Sequence, residues 1–197
     1  MNNKNVLTRI SDENNGVLTV KKASVNGISR PIFQKYVSEN GYEKVSKGVY
    51  LSPDMFADEL YLLQLRCPSL IYSHGTALYL LNMTDRDPLI YKATAKTGYN
   101  PSYLKHEKVK IYTVKSDLYD LGVTFRDTEF GNKVRCYGPE RTVCDLLRSR
   151  STCDPQLVKD GIKNYINRPD RNISLLLEFS ERFHINKLMR HYLEVLL

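Results

Sequence analysis

The 197-residue sequence contains no uninterrupted run of eighteen apolar residues, the length that a helix needs to cross a membrane. Its first residues, MNNKNVLTRISDENNG, also lack the apolar stretch of a secretory signal peptide. We therefore expect a cytoplasmic protein that does not bind membranes. Hydrophobic residues make up 42% of the chain, which is enough for a buried core and argues against wholesale disorder.

Cysteine is scarce, and none of the four cysteines falls in a C-x-x-C pair. The four histidines do not cluster with them in the sequence. Zinc sites need convergent ligands, which usually occur as tightly spaced pairs. We therefore expect reduced, partly buried thiols, with no metal and no cofactor.

Motifs of common enzyme classes are also missing: the sequence has no G-x-x-x-x-G-K-[ST], no G-x-G-x-x-G and no G-x-S-x-G. Asp127 and Glu129 suggest a metal-dependent nuclease as an alternative, but Lys133 lies too far along the chain for the usual pattern. Two acids on an exposed strand face are the commoner explanation. His74 has no visible partner, so we expect a structural or surface role. The sequence predicts no catalytic residue and a protein that is not an enzyme.

Acidic residues are absent from residues 14–38, although the whole chain carries 22 of them. Four cations, Lys21, Lys22, Arg30 and Lys35, fall inside this segment. The chain also has 29 lysines and arginines, for a formal net charge of +7. A net positive charge favours polyanionic partners only weakly, whereas a local segment of unopposed cations favours them more strongly.

The same segment has the pattern of a helix-turn-helix. Periodic apolar residues predict helices over 3–14, 20–26 and 30–39, and Gly27 permits the positive φ of a tight turn between the last two. Thr19 and Ser29 are suitable N-caps. In the third helix one apolar stripe is expected, formed by Ile32, Phe33, Tyr36 and Val37. Residues 42–51 then predict a two-stranded ribbon that turns at Lys47-Gly48.

This order of elements is typical of a winged helix-turn-helix, in which the third helix enters the major groove of DNA. Arginine and glutamine can bind guanine and adenine edges, and lysines neutralise phosphates. A basic module that docks onto proteins is the alternative. The predicted DNA-binding residues are Lys21, Lys22, Ser29, Arg30, Gln34, Lys35, Lys44 and Lys47.

Residues 54–197 predict helices, then a group of strands, then helices again. Helices are expected over FADELYLLQLRC, SLIYSHGTALYLLNM, PERTVCDLLRSR, DPQLVKDGIKNYINR and ISLLLEFSERFHINKLMRHYLEVLL. Arg141 and Asp145 have the spacing of a helical ion pair. Several lysines on the predicted strands form either a solvated sheet face or an extension of the DNA-binding surface: Lys92, Lys96, Lys105, Lys108 and Lys110.

Three stretches together resemble the AbiEi-type antitoxins of the AbiE abortive-infection systems. They are GVLTVKKASVNGISRPIFQKYVSENGYEKVSKGVYL, SHGTALYLLNMTD, and YGPERTVCDLL followed by IKNYINRPDRNISLLLEFSERF. The resemblance implies a repressor that binds inverted repeats in its own operator and autoregulates its operon. It also implies a type IV antitoxin, active in phage defence, that counteracts a nucleotidyltransferase-like toxin without a stable complex.

We therefore expect an α+β protein with an N-terminal winged helix-turn-helix at residues 1–52 and a mixed helix and strand antitoxin domain at residues 54–197. Monomers are expected to pair on double-stranded DNA. Two alternatives remain: a winged-helix transcription factor whose second domain senses a small ligand, and the metal-dependent nuclease.

Overall fold

A computed structural model describes residues 3–104 and 107–196. The protein is α+β, as the sequence predicts, and these residues form ten α-helices and eight strands in two sheets. Internal contacts divide them into two compact units. The first unit contains the described residues up to Pro68 together with Asp127–Val134, and the second contains Ser69–Arg126 and the described residues from Arg135 onward.

The first unit combines four helices with a small antiparallel sheet. Its elements are α1 (Asn3–Asp12), β1 (Val17–Thr19), α2 (Val20–Val25), α3 (Arg30–Glu39), β2 (Glu43–Ser46), β3 (Val49–Leu51) and α4 (Glu59–Arg66). The strand order is β1-β3-β2, with β3 antiparallel to both neighbours. The predicted ribbon is confirmed by β2 and β3, but β1 was not predicted.

The core of the first unit lies between α1, α3 and the sheet. Leu7 of α1, Leu18 of β1, Phe33 of α3 and Tyr50 of β3 are buried in one cluster. The rings of Phe33 and Tyr50 meet edge to face, with centroids 5.3 Å apart. This geometry is favourable for aromatic pairs and fixes α3 against the strand that carries Tyr50.

A buried carboxylate organises the remainder of the first unit. Asp58 caps α4 by accepting from the backbone N–H of Tyr61, and its Oδ2 accepts from Thr128 Oγ1 at 2.6 Å and Asn132 Nδ2 at 2.8 Å. Residues 127–134 therefore pack with elements more than sixty positions earlier in the chain. The boundaries at residues 52 and 54 rest on the sequence pattern alone and stay a prediction.

The second unit surrounds a mixed sheet with helices. Its elements are β4 (Ile71–Tyr72), α5 (His74–Leu80), β5 (Tyr91–Lys96), β6 (Val109–Val114), α6 (Ser116–Tyr119), most of β7 (Val123–Asp127) and of β8 (Lys133–Tyr137), α7 (Pro139–Arg148), α8 (Pro155–Ile166), α9 (Ile173–Arg182) and α10 (Asn186–Leu196). The strand order is β6-β5-β4-β8-β7. Strands β5 and β6 are parallel, as are β4 and β8, whereas β4 and β5 are antiparallel.

Two long helices predicted from the sequence are interrupted. The segment SLIYSHGTALYLLNM forms β4 and α5, which are separated at Ser73, and His74 has a left-handed φ of 52°. The C-terminal segment forms α9 and α10, which are separated at residues 183–185, where His184 has a φ of 57°. No helix among the described residues is long and apolar enough to cross a membrane.

Candidate nucleic-acid interface

The turn between α2 and α3 is built by local backbone preferences. Thr19 caps α2 because its Oγ1 accepts from the backbone N–H of Lys22 at 3.1 Å. Gly27 has a φ of 77°, a conformation that strains residues with a side chain, so the predicted role of this glycine is confirmed. Ser29 occupies the N-cap position of α3 with an extended backbone, but its hydroxyl makes no capping hydrogen bond. Pro31 lies in the first turn, as predicted.

Helix α3 has one buried face and one exposed face. Phe33, Tyr36 and Val37 are buried, which confirms most of the predicted apolar stripe. Ile32 was wrongly assigned to this stripe, because 38% of its surface is exposed. The exposed face carries polar side chains and is free of carboxylates until Glu39 at the end of the helix.

The predicted recognition residues on α3 differ in how they are held. Arg30 is exposed, and its guanidinium makes no hydrogen bond or ion pair within the described residues. Gln34 donates from Nε2 to the hydroxyl of Tyr50 at 3.1 Å, so β3 orients its amide. Lys35 lies 3.7 Å from a carboxylate oxygen of Glu39, one turn further along the same helix.

The two lysines of α2 are both exposed but are not equivalent. The ammonium of Lys22 donates to Oδ1 of Asn14. Desolvation of this ammonium lowers the pKa of Lys22, although the side chain as a whole is exposed and Glu13 opposes the shift. Lys21 makes no ion pair with any described residue. Of the two, Lys21 is therefore the one whose charge is available to a phosphate.

The hairpin formed by β2 and β3 carries the other predicted cations of the first unit. Lys47 and Gly48 form its turn, and the φ of 75° at Gly48 is the left-handed conformation that favours glycine. Lys44 is paired in register with Tyr50. Lys44 and Lys47 are both exposed, and neither pairs with a carboxylate in the part of the chain that the structure describes.

Sequence reasoning missed four residues of this surface. Glu39 lies 3.4 Å from Lys4 as well as pairing with Lys35, so it opposes the local positive charge. Tyr50 was expected only as a strand residue, yet it positions Gln34. Val25 and Ile32 are apolar but exposed, Val25 to 81%. Glu39 could have been identified from the sequence, because it lies four residues after Lys35. The roles of the other three residues are evident only from the tertiary structure.

The lysines predicted to extend the surface lie in the second unit. Lys92 of β5 and Lys110 of β6 are direct neighbours in the parallel register. Lys110 also lies over the ring of Tyr112, 5.0 Å from its centroid. Lys96 pairs with Asp120 at 3.9 Å, which partly neutralises it. Lys108 is exposed, and Lys105 lies outside the described residues.

Residues considered for catalysis make other contacts. Asp127 pairs with Lys133 across the hairpin turn at 3.1 Å, with both side chains exposed. Within the described chain, no three His, Cys, Asp or Glu side chains are grouped as a metal site requires. All four cysteines are free and buried, and burial raises the pKa of Cys136 and Cys144 to about 12, so these two thiols are neutral.

His74 is buried and neutral. It stacks on Tyr112 with ring centroids 3.7 Å apart and hydrogen-bonds Ser73 and Ser149 through its two ring nitrogens. Burial, assisted by the charges of Lys92 and Arg148, lowers the pKa of His74 from 6.5 to about 3. These contacts agree with a structural role.

Comparisons with known proteins give a fold likeness only. No protein-family model matches the chain, and no curated protein matches it significantly. Among solved structures, the chain is similar to the crystal structure of the RV2827C protein from Mycobacterium tuberculosis. The sequences are 11% identical, the TM-score is 0.50, and the match covers 92% of this chain and 77% of that one. At this identity, the comparison supports an α+β architecture.

Proposed function

We propose that the first unit is a winged helix-turn-helix that binds operator DNA, and that the chain is an AbiEi-type repressor and antitoxin. The observation that carries the proposal is the two-faced helix α3. Phe33 and Val37 anchor it in the core, and the opposite face offers Arg30, Gln34 and Lys35 to solvent. The α2-turn-α3 arrangement and the β2–β3 hairpin accompany it in the order that such domains require.

Base recognition falls to the end of α2 and the N-terminal half of α3. A free guanidinium such as that of Arg30 can donate two parallel hydrogen bonds to guanine O6 and N7. Gln34, oriented by Tyr50, is suited to an adenine edge. The exposed side chains of Val25 and Ile32 are suited to thymine methyl groups.

Phosphate contacts fall to Lys21 on α2 and to Lys44 and Lys47 on the hairpin. All three are exposed and unpaired with carboxylates within the described residues, so no ion pair must break when DNA binds. Each phosphate contact releases condensed counterions, and the affinity therefore falls steeply as salt rises. Lys22 contributes less in this arrangement because Asn14 holds its ammonium.

Two monomers on inverted repeats would bring two copies of α3 to successive major grooves, about 34 Å apart. The resemblance to AbiEi-type antitoxins extends the proposal to autoregulation and to antagonism of a nucleotidyltransferase-like toxin. Lys92 and Lys110 of the second unit are proposed as a further surface for DNA phosphates. These parts of the proposal rest on the sequence resemblance and on surface charge.

The test of DNA binding is fluorescence anisotropy with the full-length chain and DNA from upstream of its gene, across a salt series. Arg30→Ala should cost about 1–3 kcal/mol and relax specificity at one base pair. Lys21→Ala should weaken binding to all sequences and reduce the log–log salt slope by about one. Lys110→Ala should reduce the slope similarly if the second unit contacts the same duplex.

Arg9→Ala is the matched control, because Arg9 lies on α1, is exposed and carries the same charge. Full-length protein that binds this DNA no better than an unrelated duplex would contradict the repressor proposal. Equal losses for Arg9→Ala and Arg30→Ala would show that net charge, and not α3, determines affinity.

The antitoxin activity needs a separate experiment. Co-expression with the neighbouring toxin gene should restore growth, and this rescue should survive Arg30→Ala if it depends on the second unit. Growth arrest that persists despite normal levels of the protein would contradict the antitoxin proposal while leaving the repressor proposal intact.

A further inference from the structure

An open pocket of about 340 Å³ lies in the second unit, at the carboxyl ends of the parallel strands β5 and β6. Thr97 and Lys115 directly follow these two strands and line it. Thr97 closes one side, since its backbone N–H and its Oγ1 both donate to the carbonyl of Val114. Ligands of open α/β sheets commonly bind beyond the carboxyl ends of the strands.

Three cationic side chains from separate elements converge on this pocket. Lys115 follows β6, Arg148 is in the last turn of α7 and Arg182 is in the last turn of α9. Asp117 is the one carboxylate among its described lining residues. The permanent charges of the pocket therefore total three positive against one negative.

None of these cations makes a hydrogen bond or an ion pair within the described chain, although the charge of Arg148 acts on the buried carboxyl of Asp145. Arg148 is half-buried and lies over the ring of Phe183, 5.2 Å from its centroid, yet its guanidinium donates no hydrogen bond. Neither Arg182 nor Lys115 pairs with a carboxylate. Other cations of this unit do pair, for example Arg168 with Asp170 at 2.8 Å. A half-buried guanidinium with unused donors, beside two further unpaired cations, is an arrangement that an anion would stabilise.

We propose that this pocket binds a small phosphate-bearing ligand, held by Arg148, Arg182 and Lys115. The guanidinium forks match the oxygens of a phosphate, and the hydroxyl of Thr113 adds a further polar group. The volume lies near the lower end of the usual range for small-molecule sites, about 300–1,000 Å³. The concave shape and the half-buried Arg148 favour a free phosphate or pyrophosphate group over the backbone of a rigid duplex.

The experiment is isothermal titration calorimetry of the full-length protein with inorganic pyrophosphate at low ionic strength. Saturable binding with one site per chain is expected. Lys115→Ala and Arg148→Lys should each weaken it roughly tenfold, because each removes a charge-assisted hydrogen bond. Lys115 is exposed, so Lys115→Ala should fold normally. Thermal melting of each variant tests whether it is folded.

Lys163→Ala is the control, since Lys163 is an exposed lysine of α8 with no carboxylate partner among the described residues. It should change pyrophosphate affinity by less than about twofold. Absence of saturable binding would overturn the proposal, as would an equal loss in Lys163→Ala. A parallel titration with duplex DNA from upstream of the gene tests whether the pocket binds the phosphates of a DNA backbone instead. If Lys115→Ala weakens only duplex binding, the small-ligand assignment is wrong.

Discussion

The side chains of Arg141 and Asp145 form an ion pair inside the second unit, with Nε and Oδ2 3.1 Å apart and with 0% and 1% of their surfaces exposed. The guanidinium lies between the rings of Tyr137 and Phe183, at 3.9 and 4.3 Å from their centroids. Its Nη1 donates to the carbonyls of residues 118 and 121. The predicted pair is thus confirmed, and it connects α7 to the segment that follows β6.

Removing one partner of this pair should be strongly destabilising. Arg141→Ala leaves a fully buried carboxylate without its cation, and we expect a loss of about 3–5 kcal/mol in the free energy of unfolding. Urea denaturation at neutral pH measures this loss. Arg9 of α1 and Glu13, which directly follows the helix, have the same spacing but are exposed, at 50% and 64%, so Arg9→Ala should cost less than about 0.5 kcal/mol. Similar costs for the two variants would show that burial of the Arg141 pair has no energetic consequence.

Acid should destabilise the protein through His74. Its pKa is about 3 in the folded chain and 6.5 when unperturbed, so the unfolded state binds the proton first. The stabilisation is complete above pH 6.5 and is lost as pH falls towards 3. At pH 5 the loss from this group is about 2 kcal/mol. Urea denaturation at pH 7.5, 6 and 5 measures how the free energy of unfolding changes with pH.

His74→Asn isolates this contribution, because asparagine tolerates the left-handed φ of 52° better than most residues but does not titrate. Burial raises the pKa of Asp145, so protonation of this carboxyl as pH falls favours the folded state, opposite to the effect of His74. This contribution is the same in the wild type and in His74→Asn. The variant should be less stable at pH 7.5 and lose less stability between pH 7.5 and 5. If the free energy of unfolding changes equally with pH in the wild type and in His74→Asn, His74 is not neutral and buried.

The fold could be predicted best where local chemistry determines structure. Thr19, Gly27 and Pro31 mark the α2-turn-α3 boundaries through their own backbone preferences, and Lys47-Gly48 marks the hairpin turn. Strand β1 could not be predicted in this way. It has three residues, and its register partners lie about thirty positions later, at Val49–Leu51. Too few residues alternate for a period of two to appear.

Long-range contacts explain the remaining differences between the predicted and the observed structure. His74 adopts a left-handed φ although the neighbouring Gly75, and not His74, is the residue suited to it, because contacts with Tyr112 and Ser149 hold the ring of His74. On the candidate interface, the sequence identified the exposed cations of α3. It did not identify Tyr50 as the partner of Gln34, because hydrogen bonds between a helix and a strand leave no periodic pattern.

A methyl group at Gly161 should destabilise the helical part of the second unit. A Cβ built there would lie 2.9 Å from Leu146 Cδ1 and 3.0 Å from Leu78 Cδ1, and both leucines are fully buried. Gly161→Ala gains about 1 kcal/mol of helix propensity, but the overpacking costs about 1–3 kcal/mol. We expect a net loss of about 1 kcal/mol and a lower Tm. Lys163→Ala, exposed on the same helix, should leave Tm nearly unchanged.

Glu39 should weaken DNA binding by the wild-type protein. Its carboxylate lies 3.7 Å from Lys35 and 3.4 Å from Lys4, beside the face of α3 that is proposed to enter the groove. A negative charge at this position repels phosphates and competes with them for the two lysines. Glu39→Gln should therefore raise affinity for upstream DNA about twofold to fivefold and steepen the log–log salt slope by up to about one. Anisotropy titrations across a salt series measure both quantities.

Glu178→Gln makes the same change of net charge on α9, where the carboxylate is exposed and unpaired within the described residues. If α3 contacts the DNA, the two substitutions differ, and Glu178→Gln alters the affinity by less than about twofold, because solvent screens distant exposed charges. Equal increases would mean that overall charge governs binding. A decrease for Glu39→Gln would mean that the carboxylate positions Lys35 for its phosphate, and that this ion pair is part of the bound interface.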